Sequence, residues 1–218
     1  LEIAMKRKLD TALRDVSIEP GSRVLDIGAG WGAFVQHAGR QGVRVTSLTI
    51  SEASLRYVND LIVSEGLPCR VLLEHFMEHQ SAEPYDAIVN FGVTEHLPDY
   101  AATLRQYQRL LRPGGRIFID TSAAREKHPF KGFIQKHIWP GNHVPVQLSA
   151  YLAALERTPL ELVSLRNDRW NYMLTARHWA ERLDRNRDTI ARRWGEPAYR
   201  RFRLYLWGCV SAFFHDDA

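Results

Sequence analysis

The stretch RVLDIGAGWG, residues 23–32, carries Asp26 and then glycine at 28, 30 and 32. A hydrophobic run that breaks into alternate glycines reads as a strand turning into a helix. Glycine lacks the Cβ that would hold a ligand off and reaches positive φ freely, so the backbone of such a turn can come close to a nucleotide-bearing cofactor. Gly28, Gly30 and Ala33 also satisfy the dinucleotide pattern G-x-G-x-x-G/A. That pattern needs an acid about 20 residues on for the ribose hydroxyl. Here the second strand ends Leu48, Thr49, Ile50, Ser51, so a nicotinamide cofactor is the weakest fit. His96, His137 and His143 show no zinc-like spacing with a third ligand, and no metal site is expected.

Other elements must hold this loop in place. Residues 3–15 read as a helix with Ile3, Leu9 and Leu13 among basic residues, and EPGS punctuates the step to a strand at 23–27. A helix at 34–40 starts on the glycine turn and a strand at 43–48 completes a β-α-β unit. Ser51 is placed to cap a helix at 52–64 that stops at Gly66. Strands follow at 70–73, 87–91 and 116–120, with an amphipathic helix at 100–111 between the last two that is stopped by RPGG. Strands alternating with helices predict an α/β fold, a mostly parallel sheet with helices on both faces. From Ser122 the rhythm changes. Residues 122–146 are rich in aromatics, Lys, His and Pro, which predicts a helical lid or insertion after the fifth strand. A helix at 148–157, a strand at 160–166 and two long Arg-rich helices complete the chain.

At 218 residues the chain is long enough for one domain with a proper core. Within 1–218, residues 1–121 read as the cofactor-binding core, 122–159 as the lid and acceptor insertion, and 160–218 as the last strand region and Arg-rich helices. No apolar run approaches the roughly 20 residues that span a bilayer. Cys69 and Cys209 suggest no disulfide framework and the opening residues no leader, so the expected location is cytoplasmic. The net charge of +4 is unevenly placed, because Arg177, Arg182, Arg185, Arg187, Arg192, Arg193, Arg200, Arg201 and Arg203 crowd into the last quarter. Such a cluster either faces an anionic partner or is a solvated face interspersed with Glu181, Asp184 and Asp188.

Asp26 two residues before the first glycine is the first motif of S-adenosylmethionine (SAM) methyltransferases. The segments VLDIGAGWG, TSLTIS, YDAIVNFGVTEH, RLLRPGGRIFI, FIQKHIWPGNHVP and NYMLT, in that order, resemble the cyclopropane fatty acid synthase family of these enzymes. The resemblance runs over nearly the whole chain. The glycine motif and LLRPGG are widely shared, but GWG joined to T-x-S, EH and F-I-x-x-x-I-x-P-G is much more discriminating. It implies a Rossmann-like SAM-dependent methyltransferase fold with SAM as cofactor. Gly28, Gly30 and Gly32 would then lie along the methionine part, with Asp26 in the same motif. Thr49, Ile50 and Ser51 would serve the adenosine side, while Phe76 and Phe91 would wall the pocket. Ala29 and Ser54 depart from the family's usual Cys and Gln, which implies fewer contacts to the cofactor.

The implied reaction adds the methyl of SAM to an alkene and leaves a carbocation. Losing a proton from the new methyl closes a cyclopropane, and other fates leave a methyl branch, so the site needs aromatic faces and a base. In the family a Glu, a His and a Tyr hold a bicarbonate thought to be that base. Glu95 matches the Glu and Tyr172 the Tyr, but the His position is Asp120. Three acidic groups resist ionising together. The expectation is therefore that bicarbonate is absent, and that Asp120 or Glu95 serves as base or anchors a polar acceptor. Trp139 and Pro140 would shape the acceptor pocket. The resemblance implies an unsaturated acyl acceptor on phospholipid or carrier protein, with peripheral contact to an anionic membrane and no nucleic acid. The alternatives are carbon or nitrogen methylation of a small natural product, and a SAM-binding module without catalysis.

Overall fold

The computed structural model describes residues 1–124, 132–139 and 144–215. The first half of the chain runs α1 (Glu2–Asp15), β1 (Arg23–Ile27), α2 (Ala33–Gly39), β2 (Arg44–Thr49), α3 (Glu52–Glu65), β3 (Arg70–Leu73), β4 (Tyr85–Phe91), α4 (Tyr100–Leu110) and β5 (Leu111–Asp120). A short 3-10 turn, Thr94–His96, separates β4 from α4. Then come β6 (Ala123–Ala124), α5 (Phe133–His137), β7 (Val146–Gln147), α6 (Leu148–Leu155), α7 (Arg169–Arg185), α8 (Arg187–Trp194) and α9 (Glu196–His215). The chain forms two compact units. One is Glu2–Ser122 with Ala150–Leu160; the other is built from the described parts of Ala123–Ser149 and Glu161–Ala218.

The first unit is a five-stranded sheet in the order β3-β2-β1-β4-β5, with every neighbouring pair parallel. Its inner strands are buried almost end to end, as expected where helices cover both faces. Leu9, Leu13, Phe34, Val35 and Val58 form one core cluster with the strands, and Leu104, Tyr107 and Leu110 form the second with Tyr151 and Leu155 against it. The α/β arrangement read from the sequence is thus the one observed. Ser51 caps α3 by accepting from the Ser54 amide at 3.3 Å, and Gly66 closes that helix at φ +60°.

Three expectations need correction. β5 begins at Leu111 rather than 116, because Leu111 pairs with Tyr85 and a register shift absorbs the turn residues. Residues 160–166 are not a strand: Leu162, Val163 and Leu165 are exposed, and no ladder forms there among the described residues. Alternating side chains make a strand only where an edge pairs with them. The expected pair of Arg-rich helices is three, because Asn186 ends α7 and Gly195, at φ +86°, ends α8. Pro197 then falls in the first turn of α9, where its missing N–H costs nothing.

In the second unit α7 and α8 pack on α9. Asp184 ties them together, accepting from Tyr199 Oη at 2.8 Å, Arg203 Nε at 3.0 Å and Trp207 Nε1 at 3.0 Å.

Candidate active site

The strand order reverses between β1 and β4, and in an open parallel sheet the crevice at the carboxyl ends of such strands is where ligands bind. The glycine loop leaves β1 there, and each glycine has a separate reason. A Cβ on Gly28 would stand 2.4 Å from Val93 Cγ2, so this glycine lets the loop after β4 close against the loop after β1. A Cβ on Gly32 would stand 2.9 Å from Leu61 Cδ2, so this glycine lets α3 pack against α2. At Gly30, φ +51°, a Cβ would meet nothing nearer than a backbone oxygen at 4.0 Å. Its backbone is bare toward open space.

Gly28 and Ala29 both donate to Leu48 O, and Gly32 donates to Ala29 O. Ser54 Oγ donates to Gly30 O at 2.6 Å. Ser54 therefore braces the loop, which accounts for a short hydroxyl where the family often has a longer amide.

Asp26 is buried in β1, opposite Ser47 of β2, whose hydroxyl donates to Asp26 Oδ2 at 2.6 Å. Burial pushes its carboxyl up to about 7, and the Ser47 hydrogen bond opposes that rise. Thr49 Oγ1 accepts from the Ser51 amide at 3.1 Å and tightens the turn, which leaves Ile50 76% exposed as an apolar surface. Sequence reasoning passed over Trp31. It is 68% exposed on the glycine loop and meets Tyr57 of α3 edge-on at 5.4 Å. The signal was the tryptophan between two glycines.

Phe76 and Phe91 lie deeper than open pocket walls. Phe76 is 3% exposed and packs on Tyr107 at 5.1 Å, with Gln106 Nε2 donating to its carbonyl. Phe91 is half-buried between Phe34 and Phe118, at 5.7 and 5.5 Å.

Two carboxylates lie at the ends of β4 and β5. Glu95, on the 3-10 turn after β4, is 5% exposed. Its Oε1 accepts from the Ser122 amide at 2.6 Å, while Oε2 is buried with no hydrogen-bond partner among the described residues. An unpartnered buried carboxylate oxygen is costly and calls for an explanation. Tyr107 lies close by, pushed up to about 12 chiefly by burial and further by the Glu95 charge, and it accepts from Asn90 Nδ2 at 2.9 Å. Asp120 ends β5 directly opposite Phe91, and its carbonyl accepts from Gly92 N at 2.8 Å. Its carboxylate forms an ion pair with Lys8 Nζ of α1, and the same ammonium stands 5.1 Å from the Phe91 ring centroid.

Tyr172 belongs to the second unit, on α7, with its ring 5.8 Å from that of Phe213. Trp139 Nε1 donates to Tyr205 Oη at 3.2 Å within the same unit. Pro140 and His143 lie outside the described residues. No group of three His, Cys, Asp or Glu among the described residues could hold a metal ion.

The bare backbone at Gly30, the apolar surfaces of Trp31 and Ile50, and the buried Asp26 fit a nucleoside cofactor with an amino-acid tail. Bicarbonate fits the carboxylate corner poorly. An anion needs donors, but among the described residues the Ser122 amide is used by Glu95, Lys8 pairs with Asp120, and Glu95 and Asp120 are themselves acids.

A family model described as mycolic acid cyclopropane synthetase matches residues 1–218. Cyclopropane mycolic acid synthase 3 of Mycobacterium tuberculosis is 31% identical, over 98% of this chain and 80% of the relative. The solved cyclopropane synthase MmaA2 from Mycobacterium tuberculosis superposes with a TM-score of 0.86 at 28% identity, over 95% of this chain and 78% of that one. Mycolic acid cyclopropane synthase CmaA1, solved in complex with SAH and CTAB, gives 0.85 at 26% identity over the same shares. The chain spans about half the length of the first curated relatives it matches, 44% to 51%. A family match over every residue, carried on the same fold, makes this chain a member of the mycolic acid cyclopropane synthetase family.

Proposed function

We propose that the chain is a SAM-dependent methyltransferase acting on carbon of an unsaturated fatty acyl chain, and that it works as one methyltransferase domain. The observation that carries the reading is Glu95, a buried carboxylate with Oε2 unpartnered among the described residues, standing at the carboxyl end of β4 beside the glycine-loop strand. When bound, SAM supplies a methyl group already activated by its sulfonium, giving that methyl carbon to the acceptor's alkene π pair as the C–S pair returns to sulfur and leaving a cation on the acceptor. Asp26, the backbone at Gly28, Gly30 and Gly32, and the turn Thr49–Ile50–Ser51 hold it, with Trp31 and Ile50 excluding water. Phe91 and Phe76 belong to the aromatic surround. Glu95 Oε2 takes a proton from that methyl carbon, and the C–H pair closes the cyclopropane. Tyr172 serves the acceptor side.

An ion pair between Lys8 and Asp120 also bears on the rival acceptor. A lone Asp120 would suit a cationic amine, but here its charge is matched within the protein. The acyl reading is therefore the one adopted.

The acyl group is carried on phospholipid, and the second unit makes peripheral contact with an anionic membrane surface from the cytoplasmic side. No helix among the described residues is long and apolar enough to cross a membrane. Trp194, Phe202 and Leu204 are exposed, with Arg193 4.7 Å from the Trp194 ring and Arg201 5.6 Å from the Phe202 ring. Guanidinium groups beside exposed aromatics suit a headgroup interface.

The test is titration with SAM and its demethylated product, followed by labelled SAM with unsaturated phospholipid. Label in the acyl chain is expected, and Glu95→Gln should lower kcat by about 100-fold or more with the affinity for SAM little changed. Binding of SAM with label only in small-molecule acceptors would overturn the acyl reading.

A further inference from the structure

The structure joins Lys8 both to Asp120 and to the Phe91 ring, and no sequence motif marks it. Its side chain is only 29% exposed and that of Asp120 18%. A half-buried ion pair of this kind is weak evidence of stabilisation, because desolvation offsets most of the attraction, so its place needs another reason. Asp120 lies two residues before Ser122, whose amide holds Glu95 Oε1. The segment after β5 thus presents one carboxylate and grips another. A carboxylate at the start of the segment that grips Glu95 calls for a counter-charge. α1 supplies it: Leu9, Ala12 and Leu13 bury that helix against the sheet unit, which aims Lys8 at the end of β5.

We infer that Lys8 is a positioning residue for methyl transfer. It holds Asp120 as a charge-matched spectator at the end of β5, so that Glu95 alone receives the proton, through Oε2, and no bound bicarbonate is required. Asp120 then anchors the Ser122 segment instead of exchanging protons. The inference rests on the carbon-methylation reading above.

The experiment compares wild type with Lys8→Met, Lys8→Arg, Asp120→Asn and the double variant Lys8→Met/Asp120→Asn. Lys6→Met, a change at an exposed residue of the same helix, is the control. Rates are measured in buffer stripped of carbon dioxide, with and without added bicarbonate. Wild type should run at full rate without bicarbonate. Lys8→Met should lower kcat by about tenfold or more at a KM for SAM within about twofold, because Asp120 then loses the Lys8 counter-charge at the start of the segment that grips Glu95. Lys8→Arg should recover most of the loss, and the double variant should be less impaired than Lys8→Met, since it removes both charges. In the ligand-free protein, thermal midpoints of the same four variants should be non-additive. Bicarbonate-dependent wild-type activity, an unchanged kcat in Lys8→Met, or equal loss in Lys8→Met and the double variant would each overturn the inference. If wild type labels no acyl chain, the functional reading falls, while additive thermal midpoints would separately refute the pairing.

Discussion

Asp26 is a buried acid whose carboxyl rises from the ordinary 3.8 to about 7 because burial disfavours its charge. Between those values the folded protein holds a proton that the unfolded chain has lost, so stability from this group is present below about pH 4 and is lost as pH rises toward 7. Asp26→Asn removes that dependence. Relative to wild type it should gain on the order of 3 kcal/mol between about pH 4 and about pH 7.5, read by denaturant unfolding at both. The glycines divide in the same way. Gly28→Ala adds a Cβ 2.4 Å from Val93 Cγ2 at φ +87° and should cost about 2–5 kcal/mol. Gly30→Ala meets no such neighbour and should cost about 1–2 kcal/mol in stability while weakening SAM binding by about tenfold or more. Thermal unfolding beside titration with the demethylated cofactor separates the two outcomes. Asp26 and the glycines were legible because a strand-to-loop motif is local. Lys8 was not, since one lysine in a basic amphipathic helix gives no sign of a partner at the end of β5.

Among the elements, α3 shows how short signals fix a boundary. Ser51 accepts from Ser54 N and Gly66 takes the left-handed closing position, both readable from residue type alone. Ser51→Ala should cost about 1 kcal/mol by thermal unfolding. A larger loss of affinity for SAM than of stability would mark Ser51 as a cofactor contact as well as a cap. The alternation that gave β1 to β4 is equally local, because inner parallel strands are runs of buried apolar residues. Apolar type misled at 160–166, where Leu160 and Leu162 stand two apart as in a strand yet find no ladder among the described residues. The sequence reading also counted two Arg-rich helices where three form, although Gly195 and Pro197 are helix-stop and helix-start residues two positions apart. Phe76 shows the limit for the site. Its type suits an adenine wall and a core equally well, and only packing against Tyr107 reveals its depth.

The whole chain joins a sheet unit bearing the carboxylate corner to a helical unit bearing exposed aromatics and arginines. Replacing Arg192, Arg193 and Arg200 by Glu should lower binding to anionic vesicles by about tenfold or more and flatten its salt dependence, with transfer to a short soluble acyl acceptor unchanged. Vesicle sedimentation at two salt concentrations checks this. One contact within the sheet unit also bears on how the molecule is made. Arg116 Nη1 of β5 donates to Asp15 O at the end of α1, across 101 residues, and Lys8 reaches Asp120 over a similar span. The contact between α1 and β5 therefore closes only after the chain between its partners has been made. A ribosome adding about 5–20 residues per second separates the two partners by on the order of 5–20 s. During that interval α1 has α2 to pack on but not the end of β5.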